Sequence, residues 1–204
     1  MRINEDSPRR FLQRKLYASL FDGHPYGRPV IGQPEIIRGL GRDTLTGFYR
    51  RHYVPESFTL VVVGAVDPDE VLATTRRTFG TLPRSGLERF PPAPPAAPRP
   101  RRDEFARPGA HAYLGLAWLG PRLNHAETPA VDLLISIFGQ SRSSQLTQAL
   151  RERLSAVNSV GASFSSLEAA GIITVTALTS ADVLAVAQRY LTRPTIVALR
   201  PPPR

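Results

Sequence analysis

Residues 91–102 read PPAPPAAPRPRR, and six prolines in twelve residues constrain this chain more than any other stretch. Proline lacks the backbone N–H that a helix or a central strand must donate, and its ring holds φ near −65°. A packed core cannot run through such a segment. It favours extended polyproline II and behaves as a spacer. Residues 83–108 are therefore read as a linker between one body at 1–82 and another at 109–204. The same composition serves SH3-type ligands, but a spacer is the commoner use.

On the N-terminal side, helix signals surround one strand signal. Ser7-Pro8 pairs an N-cap residue with proline at the first helical position. Leu12, Leu16 and Leu20 then recur on one helical face up to Phe21. FDGHPYGRPVIG, residues 21–32, crowds His24, Tyr26 and Arg28 among glycines and prolines and reads as a loop. Asp43 is placed to cap a helix bearing Leu45, Phe48, Tyr49 and His52, which Pro55 ends. FTLVVVG, residues 58–64, is short, apolar and β-branched, the pattern of a buried strand. Asp67-Pro68-Asp69-Glu70 has the form of a capping box and opens a helix that stops at Gly80.

Beyond the prolines, HAYLGLAWLG (111–120) reads as a strand. A helix follows from about Pro129, with Val131, Leu134, Ile135 and Phe138 on one face. Gly139 and the polar run Gln140 to Ser144 interrupt it before Leu146, Leu150 and Leu154 resume a helical face. VNSVGASFSS (157–166) and GIITVTAL (171–178) alternate as a β-hairpin does. Thr179 to Asp182 cap a last helix, and TIVAL (195–199) is a final short strand. Residues 43–64 and 180–200 share the order capped helix, Arg near Tyr, Pro-bearing turn, apolar strand, which suggests internal duplication.

Composition excludes some chemistry. Cysteine is absent, so disulfides, thiol nucleophiles and Cys-ligated metal sites are not available to these residues. The net charge of +9 raises nucleic acid as a partner. However, Lys15 is the only lysine, and the arginines are spread along the chain without a basic stripe interleaved with aromatics. Neither nucleic acid nor membrane is expected as a partner; the longest apolar run is strand-sized and no signal-peptide pattern is seen. The compartment is open, with the cytoplasm as default.

Three segments carry a resemblance: HPYGRPVIG (24–32), FYRRHYVPESFTLVVVGAVDPDEV (48–71) and SRSSQLTQALRERLSAVNSVGASFSS (141–166). Together, and with RYL before the TIVAL strand, they resemble the M16 metallopeptidases (pitrilysin, insulin-degrading enzyme and the mitochondrial processing peptidase). The resemblance implies an α+β architecture of the MPP/LuxS-like metallohydrolase type, with two homologous partial lobes of sheet and helices on one face. Residues 1–82 would be the C-terminal half of the first lobe. Residues 109–204 would be the second lobe, with an internal deletion near 178–179. It also implies zinc hydrolysis by an inverted His-x-x-Glu-His motif, two His holding the metal and Glu activating water.

That motif is absent from the sequence. The histidines are His24, His52, His111 and His125, and no two lie within a helical turn of each other. The resemblance thus places the start of these residues just after the metal site, with no metal ligands and no zinc expected here. The family's second lobe often carries an Arg followed seven residues later by a Tyr, both implied to bind the substrate backbone. Arg151 takes the first position and Asn158 the second, where an amide replaces the phenol. Ser141, Ser143 and Ser144 lack a paired base and are not expected to be nucleophiles. The sequence therefore leads to a non-catalytic M16 chain that binds peptide, or pairs with a zinc-bearing M16 partner or a second copy of itself. The alternatives are a truncated form of an active zinc peptidase and a basic nucleic-acid-binding module. Whether these residues take part in catalysis is left open.

Overall fold

The computed structural model describes residues 7–84, 86, 92–109, 111–179 and 195–200, the last of these as backbone. The chain divides into two compact units, Met1–Gly32 with Pro91–Arg204, and Gln33–Phe90. This division differs from the boundary expected at 82/83, because the first helix belongs with the sheet built beyond the proline run.

The first unit is built on a five-stranded sheet. Its strands are β1 (Arg101–Ala106), β2 (Ala112–Gly120), β3 (Ser159–Ser165), β4 (Gly171–Thr179) and β5 (Thr195–Arg200), in the order β1-β5-β2-β4-β3. β1 runs parallel to β5 and the other pairs are antiparallel. The α+β expectation holds, as do β2, the β3–β4 hairpin and the closing strand. One correction concerns the linker. Residues 101–106 form an edge strand, because the prolines end at Pro100 and free backbone N–H groups return for pairing. The expected helix from 180 onward lies outside the described residues, and with it most of the second copy of the suggested repeat.

Alternation along β2 sorts two cores. Leu114 and Leu116 face one layer, where Ile135, Val157, Ala162, Val175 and Ala177 are buried with them. That layer comes from α5 (Thr128–Ile135), its π-helical continuation Ser136–Gln140, and the π-helical segment Thr147–Arg153. The intervening residues face α1 (Pro8–Leu20), whose Leu12, Leu16 and Leu20 are buried with Phe21, Ala117 and Ile172. Each fully buried Leu or Ile contributes about 1.5–3 kcal/mol from burial. Gly115 lets the helix come close, since a Cβ there would stand 2.7 Å from Leu16 Cδ1 and 3.2 Å from both Leu12 methyls. On the other face, the π-helical segment Ser136–Gln140 comes closest to β3 at Gly139. There a Cβ would collide with the backbone N and Cα of Ala162 on β3.

The second unit contains α2 (Pro34–Arg38), α3 (Arg42–His52) and α4 (Pro68–Phe79). Asp67 caps α4 as expected, its Oδ1 accepting the Asp69 N–H at 2.8 Å. Asp43 does not cap α3; Gly41 holds that position and Asp43 sits in the first turn. The larger correction is FTLVVVG. Residues 58–63 are not in a strand. A strand needs a neighbour to take its N–H and C=O groups, and no described residue of this unit provides one. Leu60 and Val62 line a cleft with Val71 and Phe79 of α4, while Val61 and Val63 are 76% and 91% exposed. Phe48, Tyr49 and Tyr53 are also exposed. Val54 is the only buried residue among those described in the unit.

Two outcomes follow. Gly139→Ala should cost about 1–3 kcal/mol through overpacking against the β3 backbone, read as a lower denaturant midpoint; an unchanged midpoint would contradict that packing. The unmodified chain should bind a hydrophobic dye strongly and self-associate. Val61→Lys with Val63→Lys should reduce both while leaving the sheet's circular dichroism unchanged.

Candidate functional site

The stretch 21–32 is a packed corner, and its bonds are the best-defined polar constellation in the first unit. A 3₁₀ turn at Pro25–Gly27 follows His24, which is 8% exposed. The Tyr26 backbone N–H donates to His24 Nδ1 at 3.1 Å, so Nδ1 is the acceptor. His24 Nε2 lies 2.9 Å from the Ala93 carbonyl, which can only accept, so Nε2 carries the proton. Both ring nitrogens are therefore used by the fold. Tyr26 is equally committed, since its hydroxyl oxygen accepts the Ala169 N–H at 3.0 Å. The rings of Phe21, His24 and Tyr26 pack together, with Phe21 and Tyr26 edge to face at 5.4 Å and His24 and Tyr26 at 4.6 Å.

Beside this corner lies an open cleft of about 970 Å³. Arg10, Arg14 and Tyr17 of α1 form one wall, and Tyr26, Arg28 and Ile31 the other. Sequence reasoning did not find this cleft. Its partners are brought together only by the turn between 21 and 32, although four cations within Arg9–Lys15 of α1 were a signal in plain view.

Beyond this corner, the residues singled out from sequence lie on several different elements. Arg151 is exposed on the segment Thr147–Arg153, its Nε 3.7 Å from Glu152 Oε1. Asn158 is exposed just before β3, its backbone N–H donating to the Leu178 carbonyl at 2.7 Å. His52 ends α3, its ring tilted against that of Phe48 with centroids 4.4 Å apart. His125 Nδ1 accepts the Glu127 N–H at 3.2 Å, and His111 is exposed. The serines form a cap. Ser144 Oγ donates to Thr147 Oγ1 at 3.0 Å, and Ser141 Oγ lies 3.1 Å from Ser143 Oγ. Ser144 is buried at the start of a helical turn and has no base beside it in these contacts.

Zinc needs three or four converging His, Cys, Asp or Glu ligands. Among the described residues no group of three is so placed. His24, the most buried of the histidines, has no lone pair to spare. The described residues do not offer a zinc ion a set of ligands. No helix among the described residues is long and apolar enough to cross a membrane.

The fold is a mixed sheet with helical layers, and among the described residues no donor set converges. Residues 39–193 match the family model of the peptidase M16 inactive domain, and the chain belongs to the M16 family. It is 29% identical to an uncharacterized zinc protease of Rickettsia bellii, over 88% of this chain and 43% of that protein. It is 34% identical to one of Mycobacterium leprae, over 74% of this chain and 34% of that protein. The chain thus spans well under half the length of these relatives. Among solved structures, it resembles a peptidase M16 inactive domain from Pseudomonas fluorescens with a TM-score of 0.82 at 17% identity, covering 99% of this chain and 67% of that one. A chain of complex III2 from Candida albicans gives 0.75 at 19% identity, covering 88% and 44%.

His24→Ala removes an acceptor and a donor that hold the corner. It should lower stability by about 1–3 kcal/mol and speed proteolysis at residues 92–100. An unaltered thermal midpoint would mean the corner is not structural.

Proposed function

We propose that this chain is a non-catalytic M16 subunit that acts by joining a zinc-bearing M16 partner and helping to hold its peptide substrate. One observation carries the reading: Val61 and Val63 stand exposed on an apolar segment with no neighbouring strand among the described residues of its unit. An exposed β-branched segment outside any sheet is suited to pair with the open edge of a partner's sheet. That no metal-holding donor set converges among the described residues supports the non-catalytic part, in which hydrolysis draws its metal from the partner. Arg151 and Asn158 are the residues we assign to the peptide backbone. Both are exposed, and an Arg guanidinium and an Asn amide can each donate to a peptide carbonyl.

A second reading rests on the length comparison: these residues would be one part of a longer, active zinc peptidase. The two readings differ in where the zinc ligands are encoded. An in-frame His-x-x-Glu-His segment upstream of Met1 would favour the second, and its absence would remove it.

The subunit reading is tested by co-purification with a zinc-bearing M16 chain from the same genome. Association should give a complex with peptidase activity that neither chain has alone, and Arg151→Ala should raise KM several-fold with little change in complex formation. Stoichiometric zinc in this chain alone, or no association and no gain of activity, would overturn it.

A further inference from the structure

The proline run loses its role as a spacer once the fold is known. A spacer joins two bodies, yet residues 92–100 have both ends in the first unit. At one end the Ala93 carbonyl accepts from His24 Nε2 at 2.9 Å; at the other Arg101 opens β1, opposite Thr195 of β5. Between these anchors the chain is in neither helix nor strand. It is stiff all the same. Every residue from 92 to 100 except Ala96 is a proline or directly precedes one. Proline holds φ near −65°, and the residue before it is pushed towards extended or polyproline II geometry. Burial follows the three-residue period of such a helix, with Pro92 and Pro95 half-buried and the other residues of the strap exposed. One edge thus rests on the unit. Of the two open edges, one carries Pro94, Ala97 and Pro100, and the other Ala96 and Arg99. Arg101 is bridged to Asp22 and Asp103, and Arg102 to Glu104, whereas Arg99 is exposed and in no ion pair among the described residues.

We propose that residues 93–100 are a docking strap for a partner domain of the SH3 type, which offers a groove of aromatic rings with an acidic rim. Pro94 and Pro100 lie against the rings, and Arg99 meets the rim. The two prolines stand two turns apart on one edge, about 19 Å at the polyproline II rise, so one groove can meet both. A segment already held extended loses little entropy on docking, and the anchors at Ala93 and Arg101 reduce that cost further. The guanidinium of Arg99, with no carboxylate of its own, matches a rim acid in a bidentate way. Nucleic acid would use Arg99 and leave the prolines idle, since stacking on bases calls for aromatic side chains. The strap does not depend on the subunit role proposed above, and it contains none of Val61, Val63, Arg151 and Asn158.

The test is a magnetic-resonance titration of isotope-labelled SH3 domains, a panel of those with acidic groove rims, with the unlabelled full chain. At least one domain should give saturable shifts confined to its aromatic groove. A proline-rich peptide that fills the same groove should displace the chain. Arg99→Glu should weaken binding by about tenfold or more, as should Pro94→Ala with Pro100→Ala, with circular dichroism unchanged. All three positions are exposed. Arg99→Glu leaves every proline in place, so it serves also if the double variant folds poorly. No saturable shift across the panel, shifts outside the groove only, full affinity in Arg99→Glu or in a folded double variant, or displacement by a single-stranded oligonucleotide would overturn the proposal.

Discussion

The first unit depends on β2 being covered on both faces. A single residue step along that strand changes which helical layer a side chain meets. Leu114 and Leu116 join the core under α5, while Gly115 and Ala117 lie under α1. A one-residue slip would put leucines where α1 needs its closest approach and leave the other core short of volume. The register with β4 and β5, which pairs Gly115 with Thr176 and Val197, therefore fixes both helical layers at once. The corner at 21–32 follows from it, because Phe21 is the last residue of the α1 side of that core.

Where the sequence carried a periodic signal backed by local chemistry, the structure could be read from it. The Ser7-Pro8 start, the leucine face of α1, the Asp67 cap and the alternation of β3 and β4 are of this kind. FTLVVVG failed for a different reason. Its composition states a preference for being in a sheet, but whether a neighbouring strand exists is a matter for the rest of the molecule. β1 was missed in the opposite direction: the prolines before it hid the short alternation in RRDEFA, which puts Asp103 and Phe105 inward. Asp103 then accepts from Ser19 Oγ at 2.8 Å, a tie between α1 and the sheet that no local pattern foretells.

The candidate site divides in the same way. That the His-x-x-Glu-His motif is lacking from these residues could be read directly. What His24 does could not. Its two partners are Tyr26, two residues on, and Ala93, far along the chain, and only folding brings the second within reach. A histidine amid glycines and prolines suits a reactive loop as well as a buried corner; the bonds at Nδ1 and Nε2 decide for the corner.

The bond from His24 to Ala93 spans 69 residues. The chain leaves the first unit after Gly32 and rejoins it at Pro91, so this contact closes a neck through which all of 33–90 is threaded. Most of the entropy of closing that loop is met once, at the neck, and changes only logarithmically with what the loop contains. The insert can therefore lengthen, shorten, or melt and reform, while the sheet keeps its topology. In evolutionary terms the second unit is a cassette, free to change its surface without renegotiating the scaffold that carries it.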